Sequence, residues 1–118
     1  MSSRPRSAAR GNPSDLEDGF VKQISWAGLP APERQYRIFA ERRFKWDLAW
    51  PAVRVCCEVD GAIWTNGRHT RGGGVESDAE KQSMAAAAGW LVLRVTASMV
   101  DSGRAVELVE AALKEGGR

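Results

Sequence analysis

At 118 residues with 43% hydrophobic side chains, the chain is long enough for one core and too short for two. No apolar run approaches the roughly 18 residues of a membrane span, and the opening MSSRPRSAARGNPS has no apolar centre of the signal-peptide kind, so a cytoplasmic protein is expected. A formal net charge of +2, from 17 Lys and Arg against 15 Asp and Glu, excludes a strongly polybasic or acidic chain and directs attention to where the charges fall.

Residues 1–13 carry Arg4, Arg6 and Arg10 with no acid, amid Ser, Pro, Gly and Ala, and read as a disordered basic arm; residues 14–118 read as a single domain. A first helix is predicted from an N-cap at Ser14 to Trp26, burying Leu16, Phe20 and Ile24, with Glu17 in its first turns and Gly28 at its end. Leu29-Pro30-Ala31-Pro32 breaks regular structure, and Gln35 to Phe39 suits a short strand.

The next run, Arg43 to Leu48, alternates, placing Arg43, Lys45 and Asp47 on one face and Phe44, Trp46 and Leu48 on the other. After a Trp50-Pro51-Ala52 corner, a third strand over Val53 to Asp60 alternates likewise: Val53, Val55, Cys57 and Val59 face the core, and Arg54, Cys56, Glu58 and Asp60 oppose them. Three consecutive strands imply an antiparallel meander, in which Asp47 and Glu58 approach closely. Two such anions repel unless a cation sits between them. The only cysteines, Cys56 and Cys57, are strand neighbours on opposite faces, so they neither bridge each other nor make a CxxC zinc knuckle.

Gly61 to Gly74 is rich in Gly, Thr and Asn and reads as a loop, after which Ser77 and Glu80 form a capping box for a helix over residues 78–88, ended by Gly89. Trp90 to Val95 is apolar nearly throughout, as expected of a strand buried on both faces after a crossover helix. A last helix, Gly103 to Lys114, places Val106, Val109 and Leu113 on one side. Of the five Trp, residues 26, 46, 50 and 90 are assigned to the core, and Trp64, beside the loop, to stacking on a base or sugar.

Residues 34–54 concentrate Arg34, Arg37, Arg42, Arg43, Lys45 and Arg54 against only Glu41 and Asp47. Such a strip suits a phosphate backbone, and it equally suits an ordinary solvated strand face. The acids inside it point to metal and phosphate together.

The element order, an αβββαβ core followed by a C-terminal helix, resembles the restriction-endonuclease-like fold of the PD-(D/E)xK nuclease superfamily. The wording EVDG, Trp64, GRHTRG, DAEK and GWLVLRVT looks like small Vsr-like and DUF559-like endonuclease domains, many of them from phages, over about Asp15 to Val100. The resemblance implies an α/β fold with a mixed central sheet, DNA as partner, and Mg²⁺ or Mn²⁺ held by Asp47, Glu58 and the carbonyl of Val59. It implies hydrolysis of DNA phosphodiester bonds, including nicking or branched-DNA cleavage in a bacterium or phage-infected host, with a homodimer if both strands are cut. Oxygen-only ligands favour these ions over Zn²⁺.

The chain departs from the superfamily pattern where the lysine of ExK is replaced by Asp60. By analogy with Vsr-like relatives, Asp60 becomes a further metal ligand or orients the attacking water. His69 assists the leaving group or contacts the phosphate, Lys81 restores the missing positive charge from one turn into the crossover helix, and Glu17 matches an acid of the first helix. Arg42, Arg43, Lys45, Trp64, Arg68 and Arg71 are the expected nucleic-acid contacts. Each residue also has a structural role open to it: strand ion pairs for Asp47 and Glu58, a turn for Asp60, helix dipole or surface for Glu17 and Lys81, and solvent for His69. A DNA-binding module that cleaves nothing and a ribonuclease are the alternative functions.

Overall fold

Helix α1, Pro13–Trp26, is the first element of the computed structural model, which describes residues 13–61 and 72–118. Ser14 therefore lies inside the helix and is not its N-cap; proline's fixed φ and missing N–H suit it to the first turn, so the helix starts a residue earlier. Phe20 and Ile24, one turn apart, are fully buried, with Leu16 and Val21 packed beside them. Gly28 ends the helix at φ +78°, and the Leu29 N–H returns to the Ile24 carbonyl at 3.2 Å. Trp26, expected in the core, is 79% exposed, because two residues past Ile24 is about half a turn off the buried stripe.

Strands β1 (Glu33–Tyr36), β2 (Trp46–Trp50) and β3 (Val55–Asp60) form the expected antiparallel meander, and β4 (Leu91–Thr96) adds to β3 in parallel, giving a mixed sheet in the order β1-β2-β3-β4. The first two strands are displaced from their predicted limits because residues 37–45 form a turn. Arg37 donates to the carbonyls of Ala40 and Arg42 at 3.0 and 2.7 Å, and Ile38, Phe39 and Phe44 fold onto the sheet instead of extending it. The corner after β2 is a 3₁₀ turn, Pro51–Val53, closed by Arg54 at φ +56°. Val53 is thus turned out to solvent and does not share the buried face of Val55.

The alternation of β2 also slips. Leu48 packs in one layer and Ala49 in the other, yet Trp46 lies with Ala49 and not with Leu48. The break falls at Asp47, whose Oδ2 accepts the Val59 N–H at 2.7 Å and does what a main-chain carbonyl does elsewhere in a ladder. Regular β2–β3 register runs from Leu48↔Cys57 to Trp50↔Val55.

Helix α2, Gly72–Ala87, is the crossover between β3 and β4. It begins earlier than the predicted residue 78 and takes in Gly72 to Gly74, so the expected cap positions 77 and 80 fall within the helix. Glycine's poor helix propensity is a local preference of about 1 kcal/mol per residue, which the context overrides. Gly89, at φ +89°, turns the chain into β4. A six-residue helix absent from the sequence reading, α3 (Ala97–Ser102), follows β4, with Thr96 Oγ1 accepting the Met99 N–H as its cap. Helix α4, Arg104–Glu115, buries Val109 with Val106 and Leu113 beside it, as expected.

The sheet therefore has two covered faces, an α/β arrangement. Helices α1, α3 and α4 pack on Leu48, Trp50, Val55, Cys57 and Val95. On the other face α2, through Ala85, and the 37–45 turn cover Trp46, Ala49 and Cys56. Strand β4 is not buried on both faces throughout: Val92 is covered on the α2 side, but Arg94, two residues on, is exposed. No helix among the described residues is long and apolar enough to cross a membrane.

Both cysteines are buried and unpaired, and burial pushes both thiols up, that of Cys56 to about 12, so neither is a thiolate near neutral pH. An aromatic disulfide reagent is expected to titrate two thiols in guanidinium and to react far more slowly with the native protein; fast reaction of either thiol in the native state would contradict this packing.

Candidate functional site

Two of the residues singled out in the sequence, Glu58 and Lys81, meet on the α2 side of the sheet near the carboxyl end of β3, and Asp47 of β2 lies close enough for its charge to act on Glu58. The slip in β2 turns the Asp47 carboxylate toward β3, where Oδ2 holds the Val59 N–H and Oδ1 accepts from Gln35 Nε2 at 3.3 Å. Glu58 shares the face of Cys56, beneath α2. Lys81 descends from that helix and pairs with Glu58 Oε2, donates to the Lys45 carbonyl at 2.6 Å, and rests its ammonium 4.8 Å from the centre of the Trp46 ring. An acid from β2, an acid from β3 and a lysine from α2 thus converge. Lys81 sits more than two helical turns from the start of α2, not one as predicted.

The Lys81–Glu58 pair is largely shielded, with side chains 14% and 21% exposed. Burial pushes the Glu58 carboxyl above the usual range; Lys81 opposes that rise, and the charges of Asp47 and Asp78 add to it.

Asp60 ends β3 and lies 3.8 Å from Arg94 Nε of β4. Arg94 Nη2 reaches Asp78 on α2 at 3.1 Å. The sequence reading missed both Asp78 and Arg94, although each carries a signal: Arg94 is the only charge within WLVLRV, and Asp78 precedes Lys81 by one helical turn.

Other expectations are redirected. Glu17 is held by Arg34, which also takes Asp18, so the acid of α1 is engaged in fastening that helix to β1. Arg42 pairs with Glu80 at 3.0 Å, touches Met84 Sδ and covers the Phe44 ring, latching the 37–45 turn to α2. Arg54 donates to the carbonyls of Ala88 and Arg118. Of the expected nucleic-acid contacts among the described residues, Arg43 and Lys45 alone keep side chains exposed without such bonds. Trp64, Arg68, His69 and Arg71 lie outside the described residues.

Among the described residues no group of three or more His, Cys, Asp or Glu side chains is arranged to hold a metal ion. Comparison of the chain with protein-family models, with curated proteins and with solved structures finds no match.

The pair has a pH signature in metal-free protein. A carboxyl raised in the folded state favours folding fully below its unfolded pKa, and that contribution is lost as pH rises through the folded value. Lys81→Met leaves Glu58 shielded without its cation and raises it further. The variant is expected to be less stable than the parent by about 2 kcal/mol at pH 8, shrinking toward zero near pH 4 as Glu58 takes up a proton. Urea melts at the two pH values test this; a deficit that does not depend on pH would show that Glu58 is not the group left unpaired.

Proposed function

We propose that this chain is a divalent-metal-dependent DNA endonuclease of the PD-(D/E)xK type. The observation that carries the reading is the meeting of Lys81 with Glu58 beside Asp47, because it offers, from a helix, the positive charge that the strand motif lacks where Asp60 stands. The mixed αβββαβ order and the position of the cluster near the carboxyl end of a parallel strand pair, where open α/β sheets bind ligands, are consistent with it.

The donors fit a hard cation. Asp47 and Glu58 offer only oxygen, and Glu58 is raised in part by the neighbouring acid, a strain that a cation between them relieves. Mg²⁺ or Mn²⁺ would be held by these two carboxylates and the Val59 carbonyl. When bound, it supplies charge to neutralise a non-bridging phosphate oxygen and to acidify water.

The remaining roles belong to the chain's own side chains. Lys81, fixed by the Lys45 carbonyl and the Trp46 ring, presents a cation within reach of a phosphate beside Glu58. Arg43 and Lys45, exposed on the turn before β2, offer charge to the phosphate backbone without base-specific content. The Asp47 carboxylate is anchored at both oxygens, so it needs little reorganisation to serve as a ligand.

Linear, supercoiled, branched and single-stranded DNA, together with RNA, incubated with Mg²⁺, Mn²⁺ or EDTA, test the reading. Cleavage of DNA is expected with either metal and not with EDTA, and Asp47→Asn, Glu58→Gln and Lys81→Met are each expected to reduce it by about a hundredfold or more while the fold survives. Wild-type-like cleavage by the first two variants would refute the site, binding without cleavage would favour a DNA-binding module, and cleavage confined to RNA would make the chain a ribonuclease.

A further inference from the structure

Arg94 is the one charged residue of β4, and its place in the sheet is specific. In the parallel register it stands opposite Glu58, on the same α2-facing side. Its guanidinium spans two elements: Nη2 binds Asp78, one turn before Lys81 on α2, and Nε approaches Asp60, two residues after Glu58 on β3. The helix that delivers Lys81 and the strand that delivers Glu58 are thereby tied by a single planar group. Asp78 is close enough for its charge to act on the Glu58 carboxyl. Without a cation on it, Asp78 is a further anion at the edge of the cluster, able to draw a divalent ion away from Asp47 and Glu58. Arg94 and Asp78 are 46% and 45% exposed, so this tie is accessible to solvent ions.

We propose that Arg94 is a positioning residue of the site: it holds α2 against β3, so that Lys81 meets Glu58, and it masks Asp78 from the divalent ion. The proposal rests on the nuclease reading for its kinetic consequence and on the side-chain geometry alone for its effect on metal binding. A purely structural residue lowers metal affinity and activity together when it is removed. A masking residue separates them: affinity rises because an anion is uncovered, while turnover falls because the ion and Lys81 are no longer held in register.

Mn²⁺ binding to the full chain, followed by calorimetry and electron paramagnetic resonance, is the direct test. Arg94→Gln is expected to bind Mn²⁺ severalfold more tightly or to gain a second weak ion. Its kcat on the best DNA substrate is expected to drop about tenfold with little change in KM. Arg94→Gln/Asp78→Asn should return Mn²⁺ binding to that of the parent. Arg94→Lys, which keeps the charge but not the planar fork, should leave Mn²⁺ binding near the parent value while kcat still falls; it also serves if the glutamine variant does not fold.

Weaker Mn²⁺ binding in Arg94→Gln, or no difference between that variant and the double variant, overturns the masking role. An unchanged kcat in both single variants overturns the positioning role. A parent protein that cleaves nothing while the Mn²⁺ pattern appears refutes the nuclease reading and leaves the masking by Arg94 standing. A parent that binds no Mn²⁺ overturns both.

Discussion

Parallel strands cannot be joined by a tight turn, so the pairing of β3 with β4, in register from Val55↔Leu91 to Asp60↔Thr96, demands a crossover, and α2 supplies it. Much of the site's geometry depends on that constraint. The crossover lays α2 over the face of the sheet that carries Cys56 and Glu58, brings Lys81 down onto Glu58, and sets Arg94 of β4 beside both. Without the parallel pair, Glu58 would be an acid on a strand face and Lys81 a cation on a helix surface, 23 residues apart.

A shielded carboxylate is raised by burial and by two neighbouring anions, and one lysine opposes the shift. Buried ion pairs of this kind are commonly no better for folding than well-packed apolar residues. Here the cluster sits against an apolar floor of Trp46, Ala49 and Cys56 that excludes water and lowers the local dielectric. Such an environment strengthens whatever charge is brought to it.

The basic strip of residues 34–54 has a different standing once the contacts are known. Arg34 fastens α1 through Glu17 and Asp18, Arg37 closes the 37–45 turn through main-chain carbonyls, Arg42 latches that turn to α2, and Arg54 holds the α2–β4 connection to the chain's last residues. These guanidinium groups are used because a planar fork satisfies two acceptors at once. A count of cations along the sequence could not separate them from Arg43 and Lys45, since the distinction lies in which acceptors the fold brings within reach.

From the residues alone the first helix, the meander, the crossover and the neighbouring strands that carry Asp47 and Glu58 are legible, while the six-residue α3 is not, because hydrophobic periodicity and turn residues are local and β3 keeps its alternation from Val55 to Asp60. Phe20 and Ile24, Gly28 and Gly89 are legible for the same reason. Which layer receives a side chain is settled only when the elements pack. Asp47 takes a main-chain N–H of β3 at the point where Trp46 falls out of step with Leu48, and α2 extends through three glycines. Lys81 had a surface role open to it, and neither the lone charge of Arg94 nor the one-turn spacing of Asp78 from Lys81 tells that the two meet, because they come from a strand and a helix whose proximity exists only after the parallel pair has formed. The acids of the site were written in a local pattern; their cationic partners were set by long-range packing.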